Sequence, residues 1–377
     1  MVEILIHAEN VDAQTLEQIY RFKNHPSVVG RVAMMADTHF GAAGPIGTTL
    51  TFGDSIIPDV VGVDIGCGVL GYKLGDIEIN YHDLDNEIKR LIPSGMKHRE
   101  PNDAHQIVDS YHFFKTRIDK AEEVQTRLGF KNSAVRNQIG TLGGGNHFIE
   151  IGMDSNKELW LFIHTGSRNF GLRIANHYQS RAKAQTKVGS VPKGMEYLMM
   201  DDGGNEYLRD MKVAQEFAMV NRYAIMSKIV DEILGMRVNT SNCITSVHNY
   251  INYKGMCRKG AISAERGENV IIPLNMKDGT VLGVGLGNKL YNESAPHGAG
   301  RLHSRSEMKE LLRNGALTVD GFKSSMAGIY TTSCESSTID EAPEAYKPYS
   351  MIEKYLKETV DVKDVVKPVY NFKATGV

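Results

Sequence analysis

The segment VGVDIGCGV sets Asp64 and Cys67 three residues apart, with glycine on both sides of the cysteine. A carboxylate oxygen and a thiolate held that close can meet at one cation. Alone, the pair reads first as a glycine-rich turn around a buried thiol. It gains weight from HFIEIGMDSNKELWLFIH, two apolar runs flanking a polar turn segment, which reads as a β-hairpin. A turn centred on Ser155 and Asn156 puts His147 directly opposite His164, and such cross-strand partners lie about 5 Å apart at Cβ. His248, in SVHNY after a β-rich run, offers a third imidazole. Asp64, Cys67, His147, His164 and His248 are too many for one catalytic zinc, which takes three protein ligands. They suit two divalent ions sharing the thiolate, and ligand type leaves manganese, zinc, cobalt and nickel all open. Asp37 and His39, in MADTHFG, either support such a site or are strand-end structure.

Phosphate chemistry is suggested next to these ligands. TLGGGNHFIE places three glycines before Asn146 and His147, and free backbone amides in such a run can cradle phosphate oxygens. In HTGSRNFG, His164 is followed by Arg168, whose guanidinium fork suits a phosphate. SAPHGAGR holds His297 in a setting almost free of other side chains. By itself that stretch reads as a turn. Beside metals and phosphates, a neutral imidazole becomes a nucleophile toward phosphorus, with glycines leaving room for a nucleotide.

These residues need a framework to bring them together. Residues 2 to 7 read as a strand, followed by a helix within VDAQTLEQIYRFKNHP. From 28 to 74 the chain alternates short β-rich runs with glycines, which predicts strands joined by tight turns. Residues 82 to 92 and 104 to 128 read as helices, and a long helix is expected from about Glu206 to Met236. ITSVHNYINY, GAISA, NVIIPLN and TVLGVGLG read as four strands, SRSEMKELL and MIEKYLKET as helices, and VVKPVYNFKA as a closing strand. No linker, repeat or low-complexity tract divides the chain. The candidate residues are scattered from 64 to 373, so one intertwined α+β domain is expected.

Composition bounds the partners. With 43 Lys and Arg against 45 Asp and Glu, the formal net charge is −2, which excludes a globally basic coat and leaves nucleic acid to a local patch or a metal. The four cysteines form no CxxC pair in a chain too large to depend on disulfides, so reduced thiols and a cytoplasmic location are expected. The N-terminal stretch lacks a basic leader, and no run approaches the ~18 apolar residues of a membrane span.

Taken in order, MADTHFGAAGPIG, VGVDIGCGV, GTLGGGNHFIEIG, HTGSRNFG, DMKVAQEFAMVNR, VHNY, APHGAGR, EAPEAYK and NFKA resemble the RtcB family of RNA-splicing ligases over nearly the whole chain. The resemblance implies a single compact α+β domain over residues 1–377, with mixed β-sheets surrounding a dimetal cleft. It implies joining of a 2′,3′-cyclic phosphate or 3′-phosphate RNA end to a 5′-hydroxyl end with GTP and manganese (Mn2+), in RNA repair or tRNA splicing. Asp64, Cys67, His147, His164 and His248 match the ligands of two manganese ions, with Cys67 the bridge. His297 matches the histidine that becomes linked to GMP, and Arg168 is assigned an RNA phosphate. Asn146 matches a residue near the GTP phosphates, and Glu150, Tyr346 and Lys373 match guanine-pocket residues. Asn275, Ala299 and Gly300 fall at further nucleotide contacts. Because Asn146 and Glu150 lie on the opposite face of an ideal strand from His147, the assignment also implies a twist or bulge there.

The chain departs from the commoner pattern where PLNMKDGT replaces a glycine-serine-methionine turn and where the end reads NFKATGV. Both departures resemble a shorter bacterial subgroup. An RNA partner, no membrane and a monomer are expected, and the need for an activating protein stays open. A dimetal RNA cyclic phosphodiesterase, using the same five ligands without His297 or Lys373, is the alternative. A noncatalytic RNA-binding protein ranks third, having no use for a thiolate among three histidines.

Overall fold

The computed structural model describes residues 2–9, 11–131 and 134–374. Two large sheets organise the chain. The larger has seven antiparallel strands in the order Asn269–Asn275, Gly279–Gly285, Val360–Lys373, Phe148–Met153, Leu159–Thr165, Gly68–Gly75 and Cys243–Val247. Its centre is apolar on both faces: every residue of LWLFIHT is buried, as a continuous apolar run in a covered strand requires. The second sheet, ordered Glu3–Ile6, Val28–His39, Ile46–Phe52, Met256–Lys259 and Tyr250–Ile251, is mixed, with its first pair parallel. A short pair, Ala261–Ser263 with Ser294–Pro296, ends at His297. This is the expected α+β class.

The long helix forms over Asn205–Ser227 and continues in wider π-type turns to Ile233. Its apolar face (Tyr207, Met211, Ala214, Phe217) is buried against the helix Arg168–Gln185. No helix among the described residues is long and apolar enough to cross a membrane.

Four expectations are corrected. The helix read over 104 to 128 is two, Pro101–Asp109 and His112–Arg127, because the Ser110 hydroxyl bonds back to the Gln106 carbonyl and Tyr111 is extended. ITSVHNYINY is two strands, broken after Val247 at His248 and Asn249, the latter left-handed at φ 64°. The helix Arg168–Gln185 and the strand Met256–Lys259 were not expected at all.

The hairpin register is the fourth. Phe148, not His147, pairs with His164, and Met153 pairs with Leu159. The loop holds an odd number of residues because the Asp154 carboxylate accepts from the amides of Asn156 and Glu158 and from the Trp160 indole, while Lys157 is left-handed at φ 66°. No bulge interrupts the pairing of 148–153 with 159–164. His147 escapes strand alternation by lying outside the strand, so the implied bulge is not needed.

Candidate metal centre and nucleotide cleft

Each candidate ligand sits at the end of a strand or in the loop beside it, where side chains from separate elements can converge. Cys67 immediately precedes Gly68–Gly75, His147 precedes Phe148–Met153, His164 is the penultimate residue of Leu159–Thr165, and His248 follows Cys243–Val247. The three histidines and Cys67 are buried. Cys67 Sγ lies 3.4 Å from His147 Nε2 and 3.2 Å from His164 Nε2. His147 Nε2 is 3.2 Å from Asp64 Oδ2, and His164 Nε2 is 3.4 Å from His248 Nε2. The structure thus brings together all five residues read from the sequence.

The donor set fits a metal. His164 Nδ1 donates to the Asn146 carbonyl at 3.1 Å, which leaves Nε2 as a lone pair facing sulfur and a second imidazole nitrogen. Burial holds His164 and His248 well below the usual histidine range, so neither ring supplies a positive charge. Burial, with the Asp64 carboxylate, pushes the Cys67 thiol well up. Without an ion the thiol therefore keeps its proton; a cation bound among the convergent nitrogens and sulfur would displace that proton and take up the ring lone pairs. Atoms ~2.1 Å from one ion in a tetrahedron lie about 3.4 Å apart, close to the spacings found here.

Close packing holds this geometry. A methyl group at Gly166 would lie 2.1 Å from Asp64 Oδ1, and one at Gly143 would lie 1.9 Å from the Arg168 guanidinium and 2.7 Å from His147 Nδ1. Arg222, fully buried on the long helix, donates to the carbonyls of Gly66 at 3.0 Å and Thr165 at 2.7 Å. Its neighbour Asn221 bonds the Thr141 amide and carbonyl. Asn249 donates to the Asp64 carbonyl and accepts from Gly260. These three residues lie inside sequence blocks quoted above but carried no assigned role. Their signal was polarity at positions the helix and strand patterns reserve for the core.

The cluster of candidate ligands opens into a cleft of about 350 Å³ between the ends of the two sheets, lined by Asn146, Glu150, Asn275, Ala299, Gly300, Tyr346, Lys373 and His297. His297 stands beside the cluster, its ring centroid 4.7 Å from that of His248. Its Nδ1 is 2.6 Å from Oδ2 of buried Asp37, which also accepts from the His297 amide. Asp37 therefore holds the tautomer with the proton on Nδ1 and a free lone pair on Nε2. His39 also lines the cleft, and burial lowers its pKa to about 4.

Arg168 is placed differently from a surface arginine. It is left-handed at φ 58°, and its guanidinium donates to Thr141 Oγ1 and the Gly95 carbonyl, bracing the glycine-rich loop beside His147. Asn275 lines the cleft, but its side chain is engaged by Asp278 and the amides of Lys277 and Asp278.

At the far end, Lys373 Nζ pairs with Glu341 at 2.7 Å, and the Tyr346 hydroxyl donates to the same Glu341 oxygen at 2.6 Å. Burial alone would raise Glu341, yet Lys373, Arg305 and Arg301 together hold it at about 2. Glu341 was missed, although it opens the EAPEAYK block.

Glu150 behaves oppositely. Burial raises it to about 8, against hydrogen bonds from Thr280 and Asn371 and the charge of Lys373. A carboxyl raised above its ordinary 4.5 keeps a proton in the fold that the unfolded chain releases, so its contribution to stability falls as pH rises from about 4.5 through about 8. Glu150→Gln is expected to gain stability over the wild type across that window, by up to a few kcal/mol at its upper end. Denaturant melts at both ends of the window check this; an equal difference at both would show that Glu150 does not titrate there.

The family model described as tRNA-splicing ligase RtcB matches residues 18–375. RNA-splicing ligase RtcB of Escherichia coli K12 is 28% identical, over 93% of this chain and 92% of its own. tRNA-splicing ligase RtcB of Nanoarchaeum equitans is 27% identical over 89% of this chain and 86% of its own, and that of Pyrobaculum aerophilum 25% over 97% and 93%. With the match running through every strand and loop that carries the cluster and the cleft, the chain belongs to the RtcB family of ligases.

Proposed function

We propose that this protein joins RNA 2′,3′-cyclic phosphate or 3′-phosphate ends to 5′-hydroxyl ends, with GTP and manganese, in RNA repair or tRNA splicing. The relatives' names support the reaction class. The observation that carries the mechanism is the His297–Asp37 pair on the wall of the cleft shared with the metal ligands. A phosphodiesterase has no need of that pair.

Asp64, Cys67, His147, His164 and His248 would hold two manganese ions, which supply Lewis-acid charge to phosphate oxygens. Water first opens a cyclic phosphate to a 3′-phosphate. The Nε2 lone pair of His297 attacks the α-phosphorus of GTP, forming a P–N bond as pyrophosphate leaves, while Nδ1–H stays on Asp37. An oxygen of the RNA 3′-phosphate then takes the GMP group, breaking the P–N bond and restoring the neutral ring. The 5′-hydroxyl of the second RNA attacks the activated 3′-phosphate, losing its proton as GMP departs. Arg168 serves an RNA phosphate as well as bracing the loop. Lys259, Arg301 and Arg305 add positive charge to the cleft wall.

The test is incubation with α-labelled GTP, manganese and RNA 3′-phosphate. Acid-labile label should appear on the protein and then pass to the RNA. Protein that binds metal, opens cyclic phosphate and never takes label would favour the phosphodiesterase instead. Asp37→Asn is expected to slow labelling about 10²-fold or more, because an amide can hold the wrong tautomer. Manganese binding should be unchanged. Labelling at the wild-type rate would remove Asp37 from the mechanism.

A further inference from the structure

The strand Val360–Lys373 presents a polar row to the cleft that the metal chemistry does not use. Asn371 and Lys373 are two apart and share a face; Asn371 pairs directly with Glu150 and Lys373 with Phe148 on the neighbouring strand. Asn371 is 1% exposed and lines the cleft. Its Nδ2 donates to Glu150 Oε2 at 3.0 Å, and Thr280 donates to Glu150 Oε1 at 3.1 Å. Asn371 Oδ1 is buried and has no hydrogen-bond partner among the described residues. A buried acceptor left unmade is costly, and it favours whatever ligand brings it a donor.

We propose that Asn371 is a specificity-determining residue that reads the 2-amino group of a guanine base through its side-chain carbonyl. The inference rests on the nucleotide reading given above and adds to it a residue and an atom. The wall of the cleft offers a donor in the Lys373 ammonium and acceptors in Asn371 Oδ1 and in the lone pair that the Glu150 carboxyl, even when protonated, keeps beyond its bonds from Thr280 and Asn371. Guanine presents the complement, an acceptor at O6 beside donors at N1 and the 2-amino group. Adenine presents a donor at its 6-amino group, an acceptor at N1 and nothing at position 2, so it leaves Asn371 Oδ1 unmet. Hypoxanthine keeps O6 and N1–H and lacks only the 2-amino group. It isolates the contact assigned to Asn371.

Lys373 must also turn from its partner toward the base. Its Nζ is on Glu341 and 5.4 Å from the centre of the Phe148 ring, so an apolar surface lies beneath the ammonium and a carboxylate beside it. Asn371 needs no such movement, because the backbone pairing with Glu150 already fixes it.

The test is equilibrium binding of GTP, ITP and ATP to the full chain with manganese, for the wild type, Asn371→Leu and Asn371→Ser. The wild type should bind GTP ~10- to 100-fold more tightly than ITP, since a site built to accept a donor discriminates against the analogue lacking it. Both variants should bring GTP down to the ITP affinity and leave ITP where it was. Equal affinity of the wild type for GTP and ITP would overturn the assignment, as would a ratio unchanged in both variants. Loss of ITP together with GTP in both variants would also overturn it, marking Asn371 as structural. A wild type that binds no nucleotide at all would instead sink the underlying nucleotide reading.

Discussion

His297→Ala is expected to abolish covalent labelling by GTP and to lower RNA joining by a factor on the order of 10⁴ or more, since it removes the nucleophile of the proposed mechanism. Opening of a cyclic phosphate should continue within a few fold, because it uses the cluster and not the imidazole. Manganese binding should also persist: the convergent nitrogens and sulfur belong to His147, His164, His248 and Cys67, with His297 beside them. The variant has a predictable side effect. Asp37 is fully buried, its Oδ1 already lacks a partner among the described residues, and the ring of His297 is what Oδ2 faces. Removing the ring strands a buried carboxylate, at a cost of about 1–3 kcal/mol. His297→Ala combined with Asp37→Asn should recover most of that stability and none of the labelling. A lower melting temperature is therefore separable from lost chemistry, and a labelled His297→Ala protein would place the nucleophile elsewhere.

The candidate ligands Cys67, His147 and His248 were legible because each is punctuated: glycine flanks Cys67, a glycine run precedes His147, and His248 follows a β-rich run. Hydrophobic alternation located the strands that carry them. What it could not give was register. One residue more or less in the Asp154 loop decides which side chain faces His164, and that count depends on three hydrogen bonds to a single carboxylate. The helix Arg168–Gln185 was missed for a related reason. Its buried residues Phe170, Ile174, Tyr178 and Ala182 recur every four positions, but charges and amides crowd between them and the helix opens on a left-handed arginine in place of a capping side chain. Arg222, Asn221 and Glu341 were unreadable as site residues because their partners are backbone carbonyls or side chains far away in the chain. Periodicity says that a position is buried. It is silent on what a buried polar group will bind.

Cys67→Ala should have the largest effect on the metal. The sulfur stands between two halves of the cluster, with His147 and Asp64 on one side and His164 and His248 on the other. Deleting it removes a donor that both halves share, so manganese affinity should fall at least ~10²-fold, beyond the loss typical of an outer partner. Without metal, alanine replaces a small buried thiol and changes stability by only about 1 kcal/mol. With metal, the wild type gains stability by mass action and the variant gains far less. The readout is the rise in melting temperature on adding manganese, which needs no activity assay. Cys67→Ser refines it: an oxygen keeps a hard ligand in place of a soft one, so the variant should lose zinc or cadmium more completely than manganese. An undiminished manganese shift in Cys67→Ala would mean that the thiol packs against the cluster and does not bind the ions, and the site would then have to be built from Asp64 and the three histidines alone.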